Sequence, residues 1–155
     1  MFKISRLSYL LVITLLSCIT ANTVQAGSTS KLTVVVNGIR HQKGDICFRV
    51  YDSAKGFPDN DTSEIKSACT KITSASVKQV FSGLKPGSYA VAVVDDQNGD
   101  RQLNKDFFGI PTEGFGISRN PIVSIQTGTP KFRHVSFPLT KNTTININMK
   151  YSLDS

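Results

Sequence analysis

From residue 31 onward, apolar residues come in short runs with a period near two, and no segment sustains a helical period. Residues 31–37 are rich in valine and alternate in part. Residues 45–51 alternate more cleanly, with Ile46, Phe48 and Val50 on one face and Cys47, Arg49 and Tyr51 on the other. Gly38 and residues 41–44 read as a turn, so these two strands are expected to form a hairpin. Further strands are expected at 76–81, 89–94, 133–139 and 144–151, with a short extended piece at 69–72. Residues 89–94 are apolar on both faces, as a central buried strand would be. Pro138 suggests a strand end or a sheet edge. Residues 61–68 suit one or two helical turns, with Asp61 as cap and Glu64 three residues on. About seven short strands between turn signals predict an all-β fold. The expected form is a single antiparallel β-sandwich, immunoglobulin- or transthyretin-like, with one short helix and one long structured loop.

The first 26 residues read as a targeting segment. Lys3 and Arg6 precede an apolar stretch from Leu7 to Ala21, and Val24-Gln25-Ala26 then supplies a cleavage site before Gly27. The apolar run is shorter than a spanning helix needs and is diluted by Ser8, Thr14 and Ser17. A rival processing site is Leu15-Leu16-Ser17-Cys18, where Cys18 would become a lipidated N-terminus. The expected organisation is a cleaved signal peptide over 1–26 and a β-sandwich domain over 27–155. The destination is the periplasm or the extracellular space, and no transmembrane segment follows the signal. Cleavage removes Lys3, Arg6 and no acid, so the +7 charge of the full chain falls to +5. Its cations are scattered, with no basic run and no aromatic–basic interleaving, which argues against nucleic acid.

Two cysteines then remain, Cys47 and Cys69. In an exported domain they most simply form one disulfide. Such a bridge is worth roughly 3 kcal/mol by the chain-entropy argument. Neither cysteine stands in a Cys-x-x-Cys motif or beside a histidine, so a reactive thiol is the weaker reading.

Residues 95–131 show little regular patterning, and a loop of that length in a compact domain is usually functional or tied down. It opens with oxygen-bearing side chains at alternate positions. With Asp96 as the first position, Asn98, Asp100 and Asn104 fall at the third, fifth and ninth positions of a calcium loop. The sixth position, normally glycine, is Arg101, and the twelfth, normally a bidentate acid, is Phe107, with Asp106 one residue short. Ca2+ held by Asp96, Asn98, Asp100, Asn104 and Asp106 would bind weakly, at roughly 10⁻⁴ to 10⁻³ M. The same residues are also good turn chemistry, because Asn and Asp cap local amides. A third reading is a ligand site built from Asp95, Phe108, Glu113 and Phe115, with Phe107 and Ile117 nearby. Gly109, Gly114 and Gly116 let backbone approach closely there. Glu113, the acid embedded in this apolar stretch, is expected first to accept backbone amides, then to complete a cation site from a distance, and last to do acid–base work.

Catalytic signatures are absent. There is no His-Glu-x-x-His, no Gly-x-Ser-x-Gly elbow, no phosphate loop and no dinucleotide fingerprint. His41 falls in an expected turn and His134 in an expected strand. Asp95 and Asp96 are strand neighbours that point to opposite faces, unlike a glycosidase pair.

Several motifs occur together: Lys43-Gly44-Asp45-Ile46-Cys47, Gly56-Phe57-Pro58, and Leu84-Lys85-Pro86-Gly87-Ser88-Tyr89-Ala90-Val91-Ala92-Val93. Asp96-Gln97-Asn98-Gly99-Asp100, Gly109-Ile110-Pro111-Thr112-Glu113-Gly114-Phe115-Gly116-Ile117-Ser118 and Pro130-Lys131-Phe132 follow in order. In order and spacing they resemble a family of exported bacterial proteins, domain of unknown function 2141. The resemblance implies an exported β-sandwich without established activity and supplies no catalytic residues. Where that family commonly has histidine before its Asp-x-Asn segment, this chain has Asp95. The expectation is a non-catalytic binding or envelope-associated module. It is expected to be monomeric, with an envelope or extracellular ligand as partner and no cofactor except a weak calcium ion. The alternative is a small envelope enzyme or enzyme accessory with a calcium-stabilised loop.

Overall fold

A computed structural model describes residues 27–60 and 62–154. The expected signal peptide, Cys18 and the expected Asp61 cap lie outside the described residues. Two β-sheets pack face to face, as expected for a sandwich. The first carries β4 (Ser76–Leu84), β1 (Ser30–Asn37) and β8 (Thr143–Asn148) in that order. The second runs β3 (Lys66–Lys71), β2 (Asp45–Tyr51), β5 (Gly87–Asp96) and β6 (Gly114–Ile117), and β7 (Phe137–Leu139) pairs with the start of β5. The central strand β5 is buried along nearly its whole length, as its two apolar faces predict.

Three local expectations differ from the structure. β1 and β2 do not form a hairpin but lie in opposite sheets. Their valine and isoleucine faces are buried against each other across the core. Residues 38–44 cross between the sheets, and Gly44 passes so close to β5 that a Cβ would lie 2.5 Å from the Asp96 carbonyl oxygen. β1 instead pairs antiparallel with β4 and parallel with β8. The helical turns expected at 61–68 are replaced by a turn and by β3. Asn60 Oδ1 accepts the Thr62 N–H at 2.8 Å, and the Glu64 side chain goes to Arg49. A tertiary ion pair therefore takes the residue that a capping box would need. The one short helix, α1 (Phe132–Val135), occupies the beginning of the expected 133–139 strand. Val135, Phe137 and Leu139 are all buried and alternate, which imitates a strand throughout. Only the last two lie in β7, and His134 is helical.

The sandwich core is apolar. Leu32, Val34 and Val36 of β1 meet Ile46, Phe48 and Val50 of β2 and Val91 and Val93 of β5, all essentially inaccessible. The second sheet is covered on its outer face too. There Ala90, Ile117 and Val135 form a smaller cluster with Phe57 and Phe132 packed against it. This third layer, made of loops 52–65, 97–113 and 118–131 with α1, carries the candidate site.

Candidate functional site

Alternation along β2 and β5 sends Cys47, Arg49, Tyr51, Ala92, Val94 and Asp96 to the outer face. Cys47 and Cys69 stand opposite each other in the β2–β3 register and form the expected disulfide. Arg49 is buried, and its guanidinium is a clamp between loops. It donates to the Asp59 carbonyl at 2.9 Å and to the Arg101 carbonyl, with Nε 3.3 Å from Glu64 Oε2. Tyr51 adds hydrogen bonds to the Pro58 and Asn60 carbonyls. Burial is the main reason its phenol lies above the usual tyrosine range. Two outward side chains of β2 thus anchor loop 52–60, and Arg49 joins it to the Asp96 loop.

The Asp96 loop is held by its own side chains. Asp96 accepts the Gly99 and Arg101 N–H groups at 2.7 and 3.0 Å, and Asn98 accepts that of Asp100 at 3.0 Å. Asp100 Oδ1 accepts the Gln102 N–H, while Oδ2 takes the side-chain amides of Asn98 and Asn104 at 2.9 and 3.0 Å. Those bonds, from Asn104 first, then Gln102 and Asn98, hold the Asp100 carboxyl below the usual carboxylate range. Arg101 takes the left-handed backbone (φ 62°) that the sixth position of a calcium loop requires, despite its side chain. Asp96, Asn98, Asp100 and Asn104 therefore share one hydrogen-bonded loop. Asp106 is engaged elsewhere, accepting the Phe108 and Ile110 N–H groups at 2.9 Å each. Among the described residues, no three His, Cys, Asp or Glu side chains are grouped to hold a metal ion.

Glu113 is buried, and its carboxylate accepts the Gln97 and Asn104 N–H groups at 3.0 and 3.2 Å. It pins the two ends of the Asp96 loop to the start of β6. This is the first of the three roles considered for it.

Asp95, on the inner side of β5, belongs to a separate cluster. Its Oδ2 lies 2.8 Å from His41 Nδ1 and 2.6 Å from the Tyr151 hydroxyl, and Gln97 donates to Oδ1. Burial, and next the bond to Asp95, push the Tyr151 hydroxyl up to about 12, so it remains a donor rather than a nucleophile. The cluster ties the β1–β2 connection and the C-terminal segment to the base of the loop. Neither His41 nor Tyr151 stands near Asp95 in sequence, and no spacing signal announces the contact.

Phe108 and Phe115 line one apolar groove of about 250 Å³ on the outer face of β6. Its floor includes Phe115 and Ile117, with Phe108 and Ile110 on one side and Val123 and Ile125 on the other. An adjoining hollow of about 110 Å³ extends it toward Arg49 and Val94. Lys105 and Asp59 bridge the rim at 3.1 Å. The glycines of β6 make this face possible. A Cβ on Gly114 would lie 2.5 Å from the Tyr151 ring, and one on Gly116 2.5 Å from Ile147. Phe115 and Ile117 can then fill the outer side while β8 and the C-terminal segment press against the inner side. Of the third reading's four residues, Phe108 and Phe115 line the groove, whereas Asp95 and Glu113 are turned to structural bonds. The residues missed in the sequence are Arg49 and Asp59, and His41 and Tyr151 as partners of Asp95. Arg49 was legible as outward-facing, but its partners are loop carbonyls that carry no sequence signal.

No significant match was found among curated proteins or among solved structures. A family model for uncharacterised proteins conserved in bacteria matches residues 34–146, which takes in both sheets, the disulfide and the whole groove-bearing loop. The chain belongs to that family, DUF2141.

Proposed function

We propose that this protein is an exported, non-catalytic binding module of the cell envelope, and that it holds an apolar ligand in the groove between Phe108, Phe115 and Ile125. The observation that carries this reading is the groove itself. It is apolar, bounded by hydrogen-bonded loops, and built on a strand pair whose glycines leave Phe115 and Ile117 free to face it. The disulfide fits an oxidising compartment. Among the described residues no helix is long and apolar enough to cross a membrane. The polar clusters fit a non-catalytic role, because Asp95, Glu113 and Tyr151 each serve to hold segments together.

The test uses 1-anilinonaphthalene-8-sulfonate, whose fluorescence rises in apolar sites. Saturable binding near one probe per chain is expected, and Phe108→Asp/Ile125→Asp should abolish it. Equal binding by that variant would sink the groove reading. A hydrolase substrate panel should return blanks for wild type and Glu113→Gln alike; turnover lost in the variant would favour an enzyme.

The Asp96–Asn104 loop reaches the groove through Leu103, and in this reading it also takes calcium weakly. The residue set fits in part. Two carboxylates and two amides surround the loop, but the amide N–H groups now point at Asp100 and would have to turn. Millimolar calcium should raise the melting temperature slightly, and Asp96→Ala and Asp100→Ala should remove the shift. No response to calcium or to chelation would leave the loop a plain turn.

A further inference from the structure

Among the described residues, four of the six large hydrophobic side chains that stand exposed belong to this one face: Phe107 at 97%, Phe108 at 82%, Ile125 at 76% and Ile122 at 69%. They sit at the tips of two turns on opposite banks of the groove, which Phe108 and Ile125 both line. Both tips are closed by hydrogen bonds. The first is a small hairpin closed by the Lys105–Pro111 bridge and by Asp106, with Gly109 at φ 78°. The second is closed by reciprocal bonds between Ser124 and Thr127, and Val123 is paired with Asp154 through both backbone and carboxylate. These side chains are therefore held in water by construction, at the cost of exposed apolar area that a free surface rarely tolerates in one patch.

Cations outnumber acids along the segment that carries the tips. Residues 105–134 contain four cations, Lys105, Arg119, Lys131 and Arg133, against two acids, Asp106 and Glu113. Glu113 is buried and Asp106 is occupied by backbone amides. Lys105 is paired with Asp59, while Arg119, Lys131 and Arg133 have no carboxylate partner among the described residues. Lys131 lines a hollow together with Ile122, so cation and apolar tip share one rim.

We infer that this face docks on an anionic phospholipid bilayer, with Phe107 and Ile122 inserted at the headgroup boundary and Lys131 and Arg133 against the phosphates. Two apolar tips with a hollow between them suit a fluid surface that flows around both. Their flanking cations supply the electrostatic half of interfacial binding. A second copy of the chain fits worse, because a two-fold contact would set the same cations against themselves. The inference deepens the binding reading by naming the surface at which the groove would meet its ligand.

The test separates the two. Phe107 and Ile122 lie outside the groove lining, and the chain contains no tryptophan, so Phe107→Trp is a single-site reporter. The full gene product, its N-terminus fixed by mass, is mixed with phosphatidylglycerol vesicles and with phosphatidylcholine vesicles. A blue shift and co-sedimentation are expected with the anionic vesicles alone, weakening as salt rises. Phe107→Ser/Ile122→Ser should lower the affinity at least about tenfold, and neutralising Lys131 or Arg133 about fivefold each. The same N-terminus in every variant cancels any binding by the leader or by a lipid on Cys18. The inference is overturned by an unshifted reporter, by binding that survives Phe107→Ser/Ile122→Ser, or by equal binding to both vesicles. If the vesicle tests fail while the naphthalene probe still fills the groove, the lipid surface is lost and the groove reading stands.

Discussion

The two faces of the larger sheet are built on opposite principles. Its inner face, with Ile46, Phe48, Val50, Val91 and Val93, meets β1 in a dry apolar layer. Its outer face carries a disulfide between β2 and β3 and meets loops through a buried arginine and two buried carboxylates, Asp96 and Glu113. Each apolar side chain on the inner face contributes about 1.5–3 kcal/mol by leaving water. Each outer hydrogen bond contributes only about 1 kcal/mol net, but an orphaned partner is penalised more heavily. The inner face therefore supplies stability, while the outer face uses polar contacts to hold loops apart and leaves a groove that an apolar layer would have filled.

The largest test of this contrast is Phe48→Ala on the inner face, expected to lose about 3–5 kcal/mol in urea unfolding. A loss under 1 kcal/mol would mean the inner core is not the dominant layer. On the outer face, reducing the Cys47–Cys69 bond should cost about 3 kcal/mol, since it frees the intervening loop in the unfolded state. Two titratable thiols in the untreated protein would refute the pairing. Arg49→Met should lose about 2–3 kcal/mol by leaving Glu64 half-buried without its ion pair. Adding Glu64→Gln should recover part of that loss, and strict additivity of the two changes would show that they do not interact. Gly114→Ala places a methyl group against the Tyr151 ring and should cost about 1–3 kcal/mol; unchanged melting would mean that the ring gives way freely.

The smallest effect is a pH dependence. Tyr151 is raised from 10.0 to about 12, so the folded state keeps a proton that the unfolded state releases first. Its contribution is complete below pH 10 and is lost as pH rises through about 12. Tyr151→Phe should flatten the alkaline fall in stability over that interval, and an identical slope in the variant would exclude this residue as the source.

Much of this was legible because strand alternation is local. Ile46, Phe48 and Val50 report their shared face without knowledge of what lies opposite, and Cys47 and Cys69 report their pairing through compartment logic. The glycines of β6 were also legible as points of close approach. Pairing across the molecule was not. The expected β1–β2 hairpin rested on a turn signal at 38–44, yet turn residues serve equally well to cross between sheets. The 133–139 segment misled for a different reason. Alternating burial of Val135, Phe137 and Leu139 is satisfied both by a strand and by a helical turn followed by a strand. In the site, Asn98, Asp100 and Asn104 were legible as a loop that caps itself, because their partners are near in sequence. Arg49, His41 and Tyr151 were not, because each takes its partner from a distant segment.

Period-two patterning and two cysteines were enough to determine an all-β sandwich and its bridge, and a long polar-then-glycine-rich loop singled out the candidate site. These depend on side-chain chemistry and near-neighbour geometry, which a sequence carries directly. Tertiary structure alone decided which sheet each strand joins, that Asp95 and Glu113 are fasteners, and that Phe107, Phe108, Ile122 and Ile125 gather on one face around a groove. Those outcomes depend on which remote surfaces bury each other best, a sum over the whole folded chain that no local window contains.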